Sequence, residues 1–158
     1  LKENLKVARQ ELKVKSRPYQ VYGYYLGIPI MLIIIMAAAL LGFDNIRLNG
    51  VILILTVIAN FTASKLALVS KRKYVAPVLV YVSNVISLLL LPVLTNDIAN
   101  GGNGDNYLAL MGLILVPIEV IIIVFFLISA NDIKKAYPTM KQDSKDARQN
   151  YVAAKKNK

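Results

Sequence analysis

The chain has 158 residues, 56% of them hydrophobic, and a mean hydropathy of +0.53, against about 45–50% apolar residues in water-soluble domains. It contains no Cys, His or Trp. That excludes disulfides, thiolate nucleophiles and cysteine-metal sites, and removes the commonest general base and metal ligand; no enzyme activity, metal or cofactor is expected. The net charge of +10, from 19 basic and 9 acidic residues, is compatible with nucleic acid or with anionic lipid, and its placement along the chain decides for lipid.

Residues 1–18 predict a short, basic amphipathic helix. Leu1, Leu5, Ala8 and Leu12 recur at i, i+4, i+7 and i+11, which is one helical face. Lys2, Lys6, Arg9 and Lys13 line a neighbouring face, and Glu11 is placed to pair with Lys15 one turn on. Such a helix lies on a membrane, docks on a partner, or packs on its own protein. Pro18 is expected to end it. Tyr19, Tyr22, Tyr24 and Tyr25 follow, a residue type that favours headgroup depth, with the ring buried and the hydroxyl wet.

Residues 19–130 predict a transmembrane domain. A helix needs about 20 mostly apolar residues to cross the hydrocarbon core. Four stretches qualify, at about 23–43, 48–69, 75–94 and 107–130. The expected fold is an all-α integral membrane protein, a bundle of four transmembrane helices. Ala37, Ala38, Ala39 and Gly42 give the first stretch a small-residue face suited to close helix packing. All Lys and Arg except Arg47 lie before the first stretch, at the junction of the second and third, or after the fourth. The positive-inside bias then puts both termini in the cytoplasm. The cation-free segment Thr95 to Asn106, with its run Gly101-Gly102-Asn103-Gly104, is expected outside as a flexible loop.

Three polar residues fall near the middle of these stretches: Asn60 in the second, Asn84 in the third and Glu119 in the fourth. Ionisable groups at that depth cost about 2.5–3.5 kcal/mol on insertion scales. Pro117 stands two residues before Glu119 and cannot donate to the Leu113 carbonyl, so an acceptor is freed and the helix is expected to kink. Either the polar groups are neutral and hydrogen-bond across helices, or Glu119 binds a proton, a cation or a cationic substrate with the asparagines completing the site.

Residues 131–158 form a lysine-rich tail, expected to be cytoplasmic. Asp143 or Ser144 is expected to cap a short helix with Ala147, Tyr151 and Ala154 on one face. The last four residues, Lys155-Lys156-Asn157-Lys158, resemble the dilysine retrieval signal of endoplasmic-reticulum membrane proteins. The absence of cysteine and the glycine–asparagine loop point first to a bacterial cytoplasmic membrane, with the endoplasmic reticulum as the alternative.

Two families share the plan of several spans and a single membrane carboxylate. The small multidrug transporters carry theirs in the first span. Rotary-ATPase proteolipids are similar in placing a glutamate in a fourth span, but in helices rich in glycine and alanine. Both are likenesses of fold. The expected function is a non-enzymatic membrane subunit or accessory protein that anchors or regulates a larger assembly. The alternative is a proton- or cation-coupled transporter or channel component built on Glu119. Expected partners are anionic headgroups at the cytoplasmic face and other membrane subunits or further copies of the chain, not nucleic acid.

Overall fold

A computed structural model describes residues 2–42 and 48–156. Leu1, Phe43, Arg47, Asn157 and Lys158 lie outside the described residues, as does the side chain of Lys2. Among the described residues the protein is all-helical, with no strand. The helices are α1 (Lys2–Lys15), α2 (Arg17–Leu40), α3 (Asn49–Ala63), α4 (Val75–Ala99), α5 (Asp105–Ala136) and α6 (Met140–Lys156), and a 3-10 turn, Lys71–Tyr74, leads into α4. Three helical stretches, Glu3–Leu40, Lys71–Ala99 and Asp105–Ala136, are long and apolar enough to cross a membrane.

The second apolar stretch differs from its expected 48–69. Its helix, α3, has only 15 residues, about 22 Å at 1.5 Å per residue and short of the ~30 Å hydrocarbon core. Hydroxyls explain where it stops. Thr62 Oγ1 donates to the Ile58 and Ala59 carbonyls and Ser64 Oγ to that of Phe61, local bonds that compete with a continuing helix. The apolar residues beyond the stop turn inward, so that Leu66 and Val69 are buried. Lys65 does not lie inside a helix end; its ammonium sits 4.3 Å from the centre of the Phe61 ring.

Helix α5 packs against α2 and α4, and α3 packs against the same two helices. The core lies toward the end where α2 begins and α5 finishes, called here the proximal end. Val21, Tyr25, Ile28 and Leu32 of α2 meet Ile122, Phe126, Ala130 and Ile133 of α5, with Ala59 and Ala63 of α3 and Ala76 and Val80 of α4. The Tyr25 ring stands edge-on to Phe126 at 5.1 Å, and its hydroxyl donates to the Lys73 carbonyl at 2.6 Å. Among the four crowded tyrosines it is this one that is fully buried. The Lys73 ammonium in turn donates to the Leu66 carbonyl. The sequence places Lys73 with the cytoplasmic cations; it is buried, whereas Lys71 and Arg72 are exposed.

At the other, distal end the glycine-rich segment is held rather than flexible. The Asp97 carboxylate accepts from the Gly104 N–H at 2.8 Å and from Asn106 Nδ2 at 2.8 Å, which ties the end of α4 to the start of α5. Gly104 has φ of 91°, a left-handed conformation open to glycine at little cost.

Helices α1 and α6 pair with each other. The break between α1 and α2 falls at Ser16, and Pro18 sits in the first turn of α2, where a missing N–H sacrifices no helical bond. Leu5, Ala8 and Leu12 are half-buried, as are Tyr151 and Ala154 of α6, and Ala147 is buried. The amphipathic face of α1 is thus covered by the protein's own tail. Ser144 Oγ donates to Ser16 Oγ at 3.1 Å, and Glu11 pairs with Lys15 at 2.6 Å. Helix α6 starts earlier than expected, at Met140, where Thr139 Oγ1 donates to the Asp143 carboxylate at 2.8 Å.

Tyr25→Phe removes one buried bond and keeps the ring contact, so it should lower stability by about 1 kcal/mol. Phe126→Ala empties the core contact and should cost about 3–5 kcal/mol. Thermal unfolding of the two variants in mild detergent measures both; equal losses would mean that the hydroxyl, not the ring packing, dominates this junction.

Candidate functional site

A cavity of about 100 Å³ lies between α3, α4 and α5, lined by Glu119, Asn84, Ser83, Ser87, Asn49 and Met111 among others. Liquid water takes about 30 Å³ per molecule, so the space suits a few waters or one partly hydrated ion. Residues Ser83, Asn84 and Ser87 occupy one side of α4 over little more than a turn, which is why they reach a common space.

Their donors are already used. Ser83 Oγ and Asn84 Nδ2 both donate to the Val80 carbonyl, at 2.9 and 2.8 Å, and Ser87 Oγ donates to the Ser83 carbonyl at 2.9 Å. What these side chains offer the cavity is therefore acceptor capacity: the Asn84 Oδ1 and the hydroxyl lone pairs. Glu119 adds a carboxyl. An acceptor-rich wall suits a proton, a hydronium, a small cation or water, and disfavours an anion.

The structure brings Glu119 and Asn84 together and leaves Asn60 out. Because α3 ends at Ala63, Asn60 lies near the helix end rather than at mid-span, and its Nδ2 donates to the Tyr81 hydroxyl at 3.3 Å. Asn49, the first residue of α3, stands in the cavity wall instead. Nothing in the sequence marks Asn49 or Tyr81, since only the true start and end of α3 place them. Pro117 lies inside α5 but is exposed, and Leu113, whose carbonyl it leaves without a helical donor, has a 75%-exposed side chain. The proline therefore belongs to the outer face of α5 rather than to the cavity. Among the described residues no group of three or more acidic, histidine or cysteine side chains is placed to hold a metal ion.

No protein-family model matches the chain, and no curated protein or solved structure matches it either.

The cavity should be wet. The chain has no native cysteine, so a single thiol can be placed cleanly. A thiol at Ser87→Cys should react with a small water-soluble thiosulfonate, because only a hydrated thiol ionises readily. One at Val85→Cys, on an exposed apolar position of the same helix, should stay unreactive in membranes. Equal inertness at both positions would show a dry cavity.

Proposed function

We propose that this chain is a non-enzymatic subunit or accessory protein of a membrane assembly. Its four apolar segments sit in the bilayer as a four-helix bundle, with both termini cytoplasmic and the α1–α6 pair forming a layer beneath the membrane. The positive-inside bias supports that orientation. Three of the four segments have helices of spanning length. The fourth, α3, is completed by the inward-turning segment that carries Leu66 and Val69. The membrane is proposed to be the bacterial cytoplasmic membrane, with the endoplasmic reticulum as the alternative.

The observation that carries the accessory role is the preassembled α1–α6 pair. Its apolar faces are matched to each other, which leaves a rigid surface carrying the exposed cations Lys6, Arg9 and Lys13. On the same surface Val7 and Val14, two turns apart, are 60% and 55% exposed, an apolar pair for a partner subunit or a second copy to cover. A photo-crosslinker at Val7 or Val14, activated in native membranes, should give a discrete heavier product containing another chain. Labelling of lipid and water alone would remove the accessory role.

A second function is favoured by the cavity: a proton or monovalent-cation site at Glu119, with Asn84 and the α4 serines as further acceptors. One carboxyl balances one positive charge. Glu119→Gln keeps the shape and cannot ionise. If the group serves packing only, the Gln variant should match the wild type in both thermal stability and cellular phenotype. A stable variant with lost proton- or cation-dependent function would put the ion site first. Asn60→Ala, outside the cavity, should leave that function intact.

A further inference from the structure

We propose that the groove between the start of α2 and the outer face of α6 is a binding site for the headgroup of an anionic phospholipid. The groove has a volume of about 690 Å³ and is lined by Tyr19, Pro138, Lys141, Lys145 and Arg148, within the ~300–1,000 Å³ usual for small-ligand sites. The site rests on the membrane placement proposed above.

Three features converge on this assignment. The first is charge sorting on α6. Lys141, Lys145 and Arg148 recur at i, i+4 and i+7 and share one face. Asp143 and Asp146 lie round the helix from them. Asp143 accepts from Thr139 and Asp146 from Gln142, and both carboxylates act on the Lys15 ammonium of α1, behind its closer partner Glu11. The acids are thus turned toward their own protein and the three cations toward the groove.

The second is depth. Tyr19 lies in the first turn of α2, one turn before the apolar stretch begins at Gly23, and is 40% exposed. An amphipathic ring at that position belongs at the headgroup level, so the groove opens where lipid phosphates are. The third is attachment. Helix α6 packs on α2 as well as on α1, which fixes the cationic face against the spanning helix. The α1 cations Lys6, Arg9 and Lys13 lie on the partner helix and do not line this groove. A fixed cationic cleft with an aromatic wall, open at the bilayer surface, complements a phosphodiester headgroup whose acyl chains stay in the membrane.

The test uses the full-length protein in phosphatidylcholine bilayers with and without phosphatidylglycerol. Lipid retained on the protein is read by native mass spectrometry, and stability by thermal unfolding. Phosphatidylglycerol should be retained by the wild type and raise its unfolding temperature. Combined Lys141→Gln, Lys145→Gln and Arg148→Gln should reduce retention about a hundredfold, since each cation near a charged surface contributes about a factor of five. Combined Lys6→Gln, Arg9→Gln and Lys13→Gln removes the same charge from α1 and should leave retention intact. Equal losses in the two variants would mean bulk charge attraction and overturn the site, as would no retention by the wild type. Glycerol 3-phosphate stabilising the detergent-solubilised protein to the same extent would make the occupant a soluble phosphate and also overturn it. Single cysteines at Asn103 and Asn150 separate the two levels. Labelling of both from one side of the bilayer removes the membrane placement itself. Labelling from opposite sides, with an indifferent α6 variant, removes only the groove.

Discussion

A buried stretch of non-helical backbone, between the end of α3 and the start of α4, sets the terms for the proximal half of the molecule. Leu66 and Val69 anchor it inward, and a buried carbonyl without a donor costs about as much as a lost hydrogen bond. Two side chains meet that demand. The Lys73 ammonium reaches back to the Leu66 carbonyl, and the Tyr25 hydroxyl reaches across from α2 to the Lys73 carbonyl. Because the Tyr25 ring also meets Phe126 of α5 edge-on, the same residue joins three parts of the chain. Satisfying this segment and closing the core are one event.

The shortness of α3 follows from the same segment and shapes the polar cavity. Residues spent on the inward turn are not available to lengthen the helix. Helix α3 therefore begins at Asn49, inside the cavity wall, while α4 continues well past Ser87 to Ala99. The polar side chains of α4 and Glu119 of α5 face a space that a longer neighbour would fill with apolar side chains. A carboxyl at this depth is tolerable where it meets acceptors bridged by water or a shared proton, and costly against hydrocarbon.

The two terminal helices have an economy of their own. Each is too polar to bury more than one face, and each covers the apolar face of the other. The serine pair Ser16–Ser144 fixes their register where α1 passes into α2. What remains outward is charge, sorted so that acids serve the interior of the pair and cations its surface. In the proposed placement that surface is the one closest to anionic headgroups.

Residue pattern alone determined that the chain is helical and apolar enough for a membrane, where its cations segregate, and that Glu119 and Asn84 are the polar residues to watch. Hydropathy and charge are local sums, and they read correctly wherever one helix continues undisturbed, as in α2, α4 and α5. The pattern also showed the matched faces Leu5, Ala8, Leu12 and Ala147, Tyr151, Ala154, but not that they cover one another. The tertiary structure decided where α3 stops, that Asn60 leaves the cavity and Asn49 enters it, that Lys73 is a buried donor rather than a surface cation, and that Asp97 orders the distal loop. Each of these depends on a side chain meeting backbone or side chains from another element, such as the carbonyl of a turn or the wall of a neighbouring helix. Hydrophobic periodicity carries no information about such pairings, because it records how each residue faces solvent and not which partner it faces.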